Sequence, residues 1–232
     1  MLRAILFDFN GVLVNDEPIH FELLQTVLGQ EGIELTEREY YRSYLGLDDR
    51  ACFTAALQKA GRPVPPDVLS RLIARKAAYY QQRVRESGIP LFPGAVGLID
   101  SAISEGLMLG VVSGALRGEV EGALREVGVR QHFKVVVTSE DVTRSKPDPE
   151  GYRLGLQRLS SEPPLPSRLL HPHEVLAIED SPAGLEAAAM AGLSSLGVAH
   201  TYPAAELHMA DSTVESVLNL DLKRIRQLFN EG

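Results

Sequence analysis

The stretch Ala4-Ile5-Leu6-Phe7-Asp8-Phe9-Asn10-Gly11-Val12-Leu13-Val14-Asn15-Asp16-Glu17-Pro18-Ile19-His20 decides how the chain is read. Ala4 to Phe7 is a short, wholly apolar run, the pattern of a strand covered on both faces in a parallel sheet. Asp8 ends the run, and Gly11 lets the backbone turn sharply just beyond it. Open α/β sheets bind their ligands at the carboxyl ends of the strands, so a carboxylate at this point is placed for chemistry. Asn10 is the oddity. It puts an amide where a second carboxylate would form an acid/base pair with Asp8.

A parallel partner strand should follow after one crossover helix. Residues 16 to 88 instead read as helix after helix. Ile19, Leu23, Val27 and Leu28 keep helical spacing, with Gly29 and Gly32 at its end. Thr36 to Glu39 is a capping-box pattern, and Asp48-Asp49-Arg50 opens a third helix through Phe53 and Leu57. Pro65-Pro66-Asp67 precedes a fourth, with Leu69, Leu72, Ile73, Lys76, Ala77 and Tyr80 on one side. Tyr40, Tyr41, Tyr44, Tyr79 and Tyr80 are expected to pack these helices together. The expected division is a Rossmann-like core of residues 1–15 and 89–232, with an inserted all-helical cap over 16–88.

The strand–helix rhythm resumes at residue 91. Strands are expected at Leu107–Val112, Lys134–Thr138, Glu174–Ile178 and near Ser195–Val198, each separated from the next by a helix or a loop leading into one. Ser181-Pro182 is an N-cap followed by proline in the first helical position, opening an Ala-rich helix. Residues 160–173, with Pro163, Pro164, Pro166 and Pro172, read as a surface loop. The tail is an amphipathic helix that includes Leu222, Ile225 and Leu228. This alternation implies a doubly wound parallel sheet with helices on both faces.

Composition narrows the partners. The chain has 232 residues, 44% of them hydrophobic, and a net charge of −8, which disfavours nucleic acid or an anionic membrane. No apolar run is long enough for a membrane span, and the N-terminus lacks the pattern of a signal peptide. The single Cys52 fits a reducing cytoplasm and a packing role. A monomer or weak homodimer is expected.

Polar groups recur at successive strand ends: Asp8, Ser113, Lys146 in the loop beyond its strand, and Glu179-Asp180. On one sheet edge they can converge. Asp8 can attack phosphorus to form an acyl phosphate, and a hard divalent cation on Asp8 and Asp180 would offset its repulsion from an anionic phosphate. Mg²⁺ suits such an all-oxygen site. The Ser113 hydroxyl and the Gly114 amide can bind phosphoryl oxygens, while Lys146 supplies a fixed positive charge.

Four motifs in order resemble those of the haloacid dehalogenase superfamily, in the subgroup similar to β-phosphoglucomutase and phosphoglycolate-type phosphatases. They are Asp8-Phe9-Asn10-Gly11-Val12, Val112-Ser113-Gly114, Lys146-Pro147-Asp148-Pro149 and Ile178-Glu179-Asp180-Ser181-Pro182-Ala183-Gly184. The resemblance implies Mg²⁺-dependent hydrolysis of a small phosphorylated metabolite, such as a sugar phosphate. It implies Asp8 as nucleophile and Mg²⁺ held by Asp8, the carbonyl of Asn10 and Asp180, with Glu179 as ligand or support. Arg50, after Gly46-Leu47-Asp48-Asp49, resembles the substrate-specificity loop of the family's cap. His20 is a candidate for cap closure.

Asn10 departs from the family pattern, in which a second Asp protonates the leaving oxygen and then activates water. Three readings stay open. One is a deliberate substitution that traps an intermediate, against which the further departures Asn15 and Asp16 argue. Another has Asp16 substituting as acid/base, although an N-cap of the helix containing Pro18 is the preferred reading of Asp16. The third is a catalytically impaired protein that binds a phosphometabolite. A phosphosugar mutase is a further alternative. Halide displacement and phosphonate cleavage rank lower: the first gains nothing from a metal, and for the second neither Lys59 nor Lys76 sits in a recognisable motif.

Overall fold

Six strands, β1 (Ala4–Phe7), β2 (Met108–Val112), β3 (Phe133–Val137), β4 (Val175–Glu179), β5 (Ser194–Val198) and β6 (Ser212–Val214), form one parallel sheet in the order β3-β2-β1-β4-β5-β6. This computed structural model describes residues 1–163, 165–218 and 220–231. Pro164, expected in a loop, lies outside the described residues, as does the side chain of Leu228. The chain divides into two compact units, residues 1–15 with 90–232, and residues 16–89.

In the sheet unit, the helices are α5 (Ala95–Ser104), α6 (Arg117–Glu126), α7 (Glu150–Ser161), α8 (Pro182–Met190) and α9 (Leu222–Glu231), the last two elements being separated by β5 and β6. Helix α7 packs on β2 and β3, and α8 on β4 and β5. Every residue of β1 is buried, as its apolar run requires. Ala4 and Leu6 share one core cluster with Tyr152, Leu159, Ala187 and Ala188. Alternation along the strand sends Ile5 and Phe7 to the other face. Gly155 permits close approach of α7: a Cβ there would sit 3.1 Å from Leu6.

Strand order places β1 between β2 and β4, with Phe7 level with both Val111 and Ile178. That is the point where the strand order reverses and where open sheets leave a crevice at the carboxyl ends. Strand β6 was not foreseen. It is three residues long, too short for a period-2 pattern to show.

The inserted unit holds α1 (Glu17–Gln30), α2 (Glu37–Ser43), α3 (Asp49–Lys59) and α4 (Pro66–Ser87). Thr36 caps α2 by accepting from the Glu39 amide at 3.2 Å, and Asp48 caps α3 by accepting from Ala51 at 2.8 Å. Leu24, Val27, Leu28, Tyr40, Tyr44, Cys52, Phe53 and Leu57 form its core, joined by Leu69 and Leu72 from α4. Burial pushes the Cys52 thiol up to about 12, with Asp49 adding to the effect, so the thiol is unreactive near neutrality. Tyr41 is 42% exposed, yet its ring lies 6.4 Å from that of Phe21 in α1 and edge-on to Tyr40 at 5.4 Å. Among the described residues no helix is long and apolar enough to cross a membrane.

Candidate active site

Beyond β1 the chain makes a tight loop that returns on itself. Gly11 adopts φ +79°, its amide donates to Val14 O at 2.8 Å, and Val14 N donates to Phe9 O at 3.0 Å. Val14 is bridged to Asn10 on one side and Leu91 on the other, and Asn15 N donates to Pro90 O at 2.6 Å. The two linkers therefore run paired at the edge of the sheet unit. Gly11 is required by more than its φ. A Cβ there would lie 1.8 Å from Asp180 Oδ2, so the glycine lets that carboxylate close on the loop.

Asp8, Asn10, Ser113, Lys146, Glu179 and Asp180 come together at this edge. Lys146 is central. Its ammonium donates to Asp8 Oδ1 at 2.5 Å, to Glu179 Oε1 at 2.6 Å and to the carbonyl of Val112 at 3.0 Å, which accounts for all three of its N–H bonds. It also lies 5.4 Å from the centre of the Tyr152 ring. The Ser113 hydroxyl donates to Asn10 Oδ1 at 3.4 Å and accepts from Ala115 N at 3.0 Å. Gly114, the next residue, is exposed.

Glu179, fully buried, is held on every side. Besides Lys146, it accepts from the Tyr152 hydroxyl at 2.6 Å, and from the Ser181 hydroxyl and the Asp180 amide, both at 3.3 Å. A Cβ on Gly184 would sit 2.0 Å from the Glu179 carboxyl group, so the glycine in the first turn of α8 makes the space it occupies. Ser181 caps α8, accepting from Gly184 N at 3.1 Å.

Three carboxylates in this cluster face one ammonium. Asp8, Glu179 and Asp180 each offer an oxygen within 4.8 Å of the others, and all three residues are buried. Burial pushes the Asp8 carboxyl up to about 7, with Lys146 opposing and Glu179 reinforcing the shift. Burial, then Asp8 and Glu179, hold Asp180 well above the usual carboxylate range, against a hydrogen bond from Thr201. The Lys146 ammonium is held up by Asp8 and Glu179 despite burial that opposes it. A hard divalent cation fits this donor set: all are oxygens, they converge, and their ionised form carries two charges more than Lys146 cancels.

Several supporting residues carry no motif. Tyr152 anchors Glu179 from inside α7, and Thr201 reaches Asp180 from the loop after β5. His200 Nδ1 bonds to Gly11 O at 2.9 Å while its ring stacks on Phe92 at 3.8 Å. Asp141 receives the Thr138 amide at 2.9 Å and both Arg158 and Arg117, fixing the start of the loop that brings Lys146 in.

The candidates in the inserted unit have their own arrangement. Asp16 is fully buried and precedes α1, but its side chain makes no cap hydrogen bond, which corrects the expected N-cap. Proline at the second helical position removes one of the two amides such a cap would use. Asp16 Oδ2 instead accepts from the Tyr80 hydroxyl at 2.6 Å and pairs with His20 Nε2 at 3.2 Å. His20 stacks on Tyr80, with ring centres 5.1 Å apart. His20 Nδ1 accepts from Lys76 Nζ at 2.7 Å, and Lys76, only 1% exposed, donates to Asp49 Oδ1 at 2.5 Å. Arg50 is exposed in the first turn of α3.

A family model described as haloacid dehalogenase-like hydrolase matches residues 5–198. The chain belongs to the haloacid dehalogenase-like hydrolase family. It is 30% identical over 227 residues to a validoxylamine A 7'-phosphate phosphatase of Streptomyces hygroscopicus subsp. limoneus, covering 97% of each chain. It is 29% identical to a phosphorylated carbohydrates phosphatase of Thermotoga maritima, covering 86% of this chain and 87% of the relative. Among solved structures, CbbY from Rhodobacter sphaeroides in complex with phosphate superposes with a TM-score of 0.85 at 26% identity, over 97% of this chain and all of that one. In this haloacid dehalogenase-like hydrolase the cluster around Lys146 lies at the end of the central strand of the family's fold.

Proposed function

We propose that this family member hydrolyses the phosphate ester of a small carbohydrate-like metabolite through a phospho-aspartate on Asp8, with Mg²⁺ as cofactor. The enzyme class, a phosphoric monoester hydrolase, rests on the family and on relatives named as phosphatases. The observation that carries the mechanism is the Lys146 ammonium, bonded at once to Asp8 and Glu179 beside a second buried acid, Asp180. A carboxylate so placed is a nucleophile whose attack on an anionic phosphoryl group is made tolerable by fixed positive charge.

Asp8, Asp180 and the main-chain carbonyl of Asn10 would hold Mg²⁺, and Glu179 would act through Lys146 and Asp180, its own oxygens being engaged already. Bound there, the cation would neutralise the nucleophile and the phosphoryl oxygens. The Ser113 hydroxyl and the Gly114 amide would orient those oxygens. From the inserted unit, His20 and Arg50 would contact the sugar portion, and Asp16 would lie towards the substrate. The cytoplasm is the proposed place of action, in keeping with the free, buried thiol of Cys52.

Turnover is to be measured against a panel of sugar phosphates with Mg²⁺, with mass analysis of the protein after rapid quenching. The expected result is phosphate release and one acyl-bound phosphoryl group, both lost in Asp8→Asn. Equal turnover by Asp8→Asn would overturn the reading. Asn10 favours a second reading, a phosphometabolite-binding protein without useful turnover, because an amide holds no exchangeable carboxyl proton. Phosphate bound without being released in any member of the panel would select it.

A further inference from the structure

Lys146 fixes two of the acids at the sheet edge, Asp8 and Glu179. Asp180 and the carbonyl of Asn10, the other donors assigned to the cation, are approached from the loop that follows β5. Strand β5 is no neighbour of β1, so this loop crosses the end of β4 to reach the turn at Gly11. It leaves the strand tightly, His200 N donating to Val198 O at 2.8 Å, and Ala199 N donating to Val214 O at 2.9 Å ties it to β6. Two adjacent side chains, His200 and Thr201, then point at the same glycine.

Thr201 comes from one side. A Cβ built on Gly11 would meet Asp180 Oδ2 at 1.8 Å and Thr201 Oγ1 at 2.8 Å, so both oxygens crowd one face of the glycine. The two side chains are hydrogen-bonded. An ionised carboxylate only accepts, so the Thr201 hydroxyl is the donor, and it fixes the carboxylate while leaving further lone pairs for a hard cation.

His200 comes from the other. Its Nδ1 lies 2.9 Å from Gly11 O, which can only accept, so Nδ1 carries the proton and donates. The ring stacks on Phe92 at 3.8 Å, and Phe92 N donates to Leu13 O at 3.0 Å, so the imidazole is wedged in place. The Asn10–Gly11 peptide is planar, so the Gly11 amide that donates to Val14 O at 2.8 Å sends the Asn10 carbonyl the opposite way. His200 holds the following peptide by its oxygen. With both planes fixed, Gly11 keeps its φ of +79° and the Asn10 carbonyl keeps its direction.

We propose that His200 and Thr201 are positioning residues of the cation site, Thr201 setting the Asp180 carboxylate and His200 the turn that carries the Asn10 carbonyl. The proposal rests on the Mg²⁺ assignment above. One loop thereby aligns two donors that belong to different strands, and both act through the donors rather than on the substrate.

Titration calorimetry of the whole chain with Mg²⁺ alone reads the effect without turnover. Thr201→Val keeps the shape and removes the donor, so it should raise the Mg²⁺ dissociation constant by about 10- to 100-fold. Thr201→Ser should bring it back to within about threefold of wild type. His200→Phe keeps the stack but not the bond to Gly11, and should raise it by about 10-fold. Asp180→Asn should bind no Mg²⁺. Wild-type affinity in Thr201→Val or in His200→Phe, beside lost binding in Asp180→Asn, overturns the proposal and leaves the cation assignment standing. A deficit in Thr201→Ser as deep as in Thr201→Val also overturns it, because packing and not the hydroxyl would then be responsible. Wild-type binding by Asp180→Asn overturns the cation assignment itself, and the proposal with it. Melting curves in chelator show that each variant folds; should Thr201→Val not fold, Thr201→Ala is read by the same criterion.

Discussion

Two lysines, the part-buried Lys146 and the buried Lys76, each sit among acids, and their surroundings differ in one respect that matters. Lys146, at the sheet edge, faces Asp8, Glu179 and Asp180, so acidic charge outnumbers it by two when all three are ionised. Lys76, between α1, α3 and α4, is matched by Asp49, and the neighbouring His20 and Tyr80 bond to Asp16. A buried surplus of two negative charges calls for a divalent cation, since carboxylates that close repel one another and otherwise take up protons. A matched pair beside one further carboxyl makes no such demand. The same residue types thus build a candidate cation site in one place and a polar part of the inserted unit in the other, and the difference is set by stoichiometry.

Exchanging each lysine for methionine probes that difference most strongly. Lys146→Met removes the charge that joins nucleophile to support, and turnover should fall by about 10³-fold or more, with the acyl-bound phosphoryl group lost too. Lys76→Met leaves Asp49 unmatched and His20 free to change tautomer. The acyl-bound phosphoryl group should still form, and the loss should fall on stability, by about 3 kcal/mol, because an acid is left without its partner. Rapid-quench mass analysis and melting curves of the two variants give both quantities. If both variants lost the acyl phosphate equally, the two clusters would not have separate tasks.

A smaller and separable effect concerns the cation itself. Mg²⁺ at about one hundred times its dissociation constant should stabilise the fold by about 2.7 kcal/mol. Calorimetry with and without Mg²⁺ should show this shift in the wild type. Asp180→Asn should abolish it and Asp16→Asn should leave it intact, because the three converging carboxylates lie at the sheet edge. A shift lost in Asp16→Asn and kept in Asp180→Asn would overturn the assignment of the cation to the sheet edge.

Much of this was legible in the sequence, and the remainder was hidden for identifiable reasons. Asp8, Ser113 and Glu179-Asp180 each follow an apolar strand, and a parallel sheet brings such positions to one edge. Lys146 was visible through its motif and finds its three acceptors as a lysine there should. Tyr152 carries no motif: nothing local says that its hydroxyl would meet Glu179, 27 residues further on. Thr201 and His200 stand in a loop without periodicity. Lys76 did give a sign, since it shares a helical stripe with Leu69, Leu72, Ala77 and Tyr80, where a charge must be partnered once buried. Asp16 was misread because a cap is the commonest task of an acid before a helix. Pro18 was the residue that argued against it.

The least effect, and the most specific to surplus charge, is on pH dependence. Burial pushes Asp8 up to about 7 from 3.8, and Asp180 moves in the same direction. A carboxyl whose folded value lies above its unfolded one binds more protons in the folded state. Its contribution to stability is complete below the unfolded value and is lost as pH rises through the folded one. Without divalent cation, the cluster should therefore make the melting temperature fall between about pH 4 and about pH 7. His200, held below its usual value by burial, acts in the opposite direction, since its contribution is present above 6.5 and fades as pH falls. Comparing melting curves with chelator and with Mg²⁺ cancels His200 and leaves the carboxylates. The gap between the two should widen as pH rises, because Mg²⁺ binds the ionised form, and Asp16→Asn should not alter that widening. A gap independent of pH would mean that the sheet-edge carboxylates are already ionised without a cation, and the contrast with the Lys76 cluster would lose its electrostatic basis.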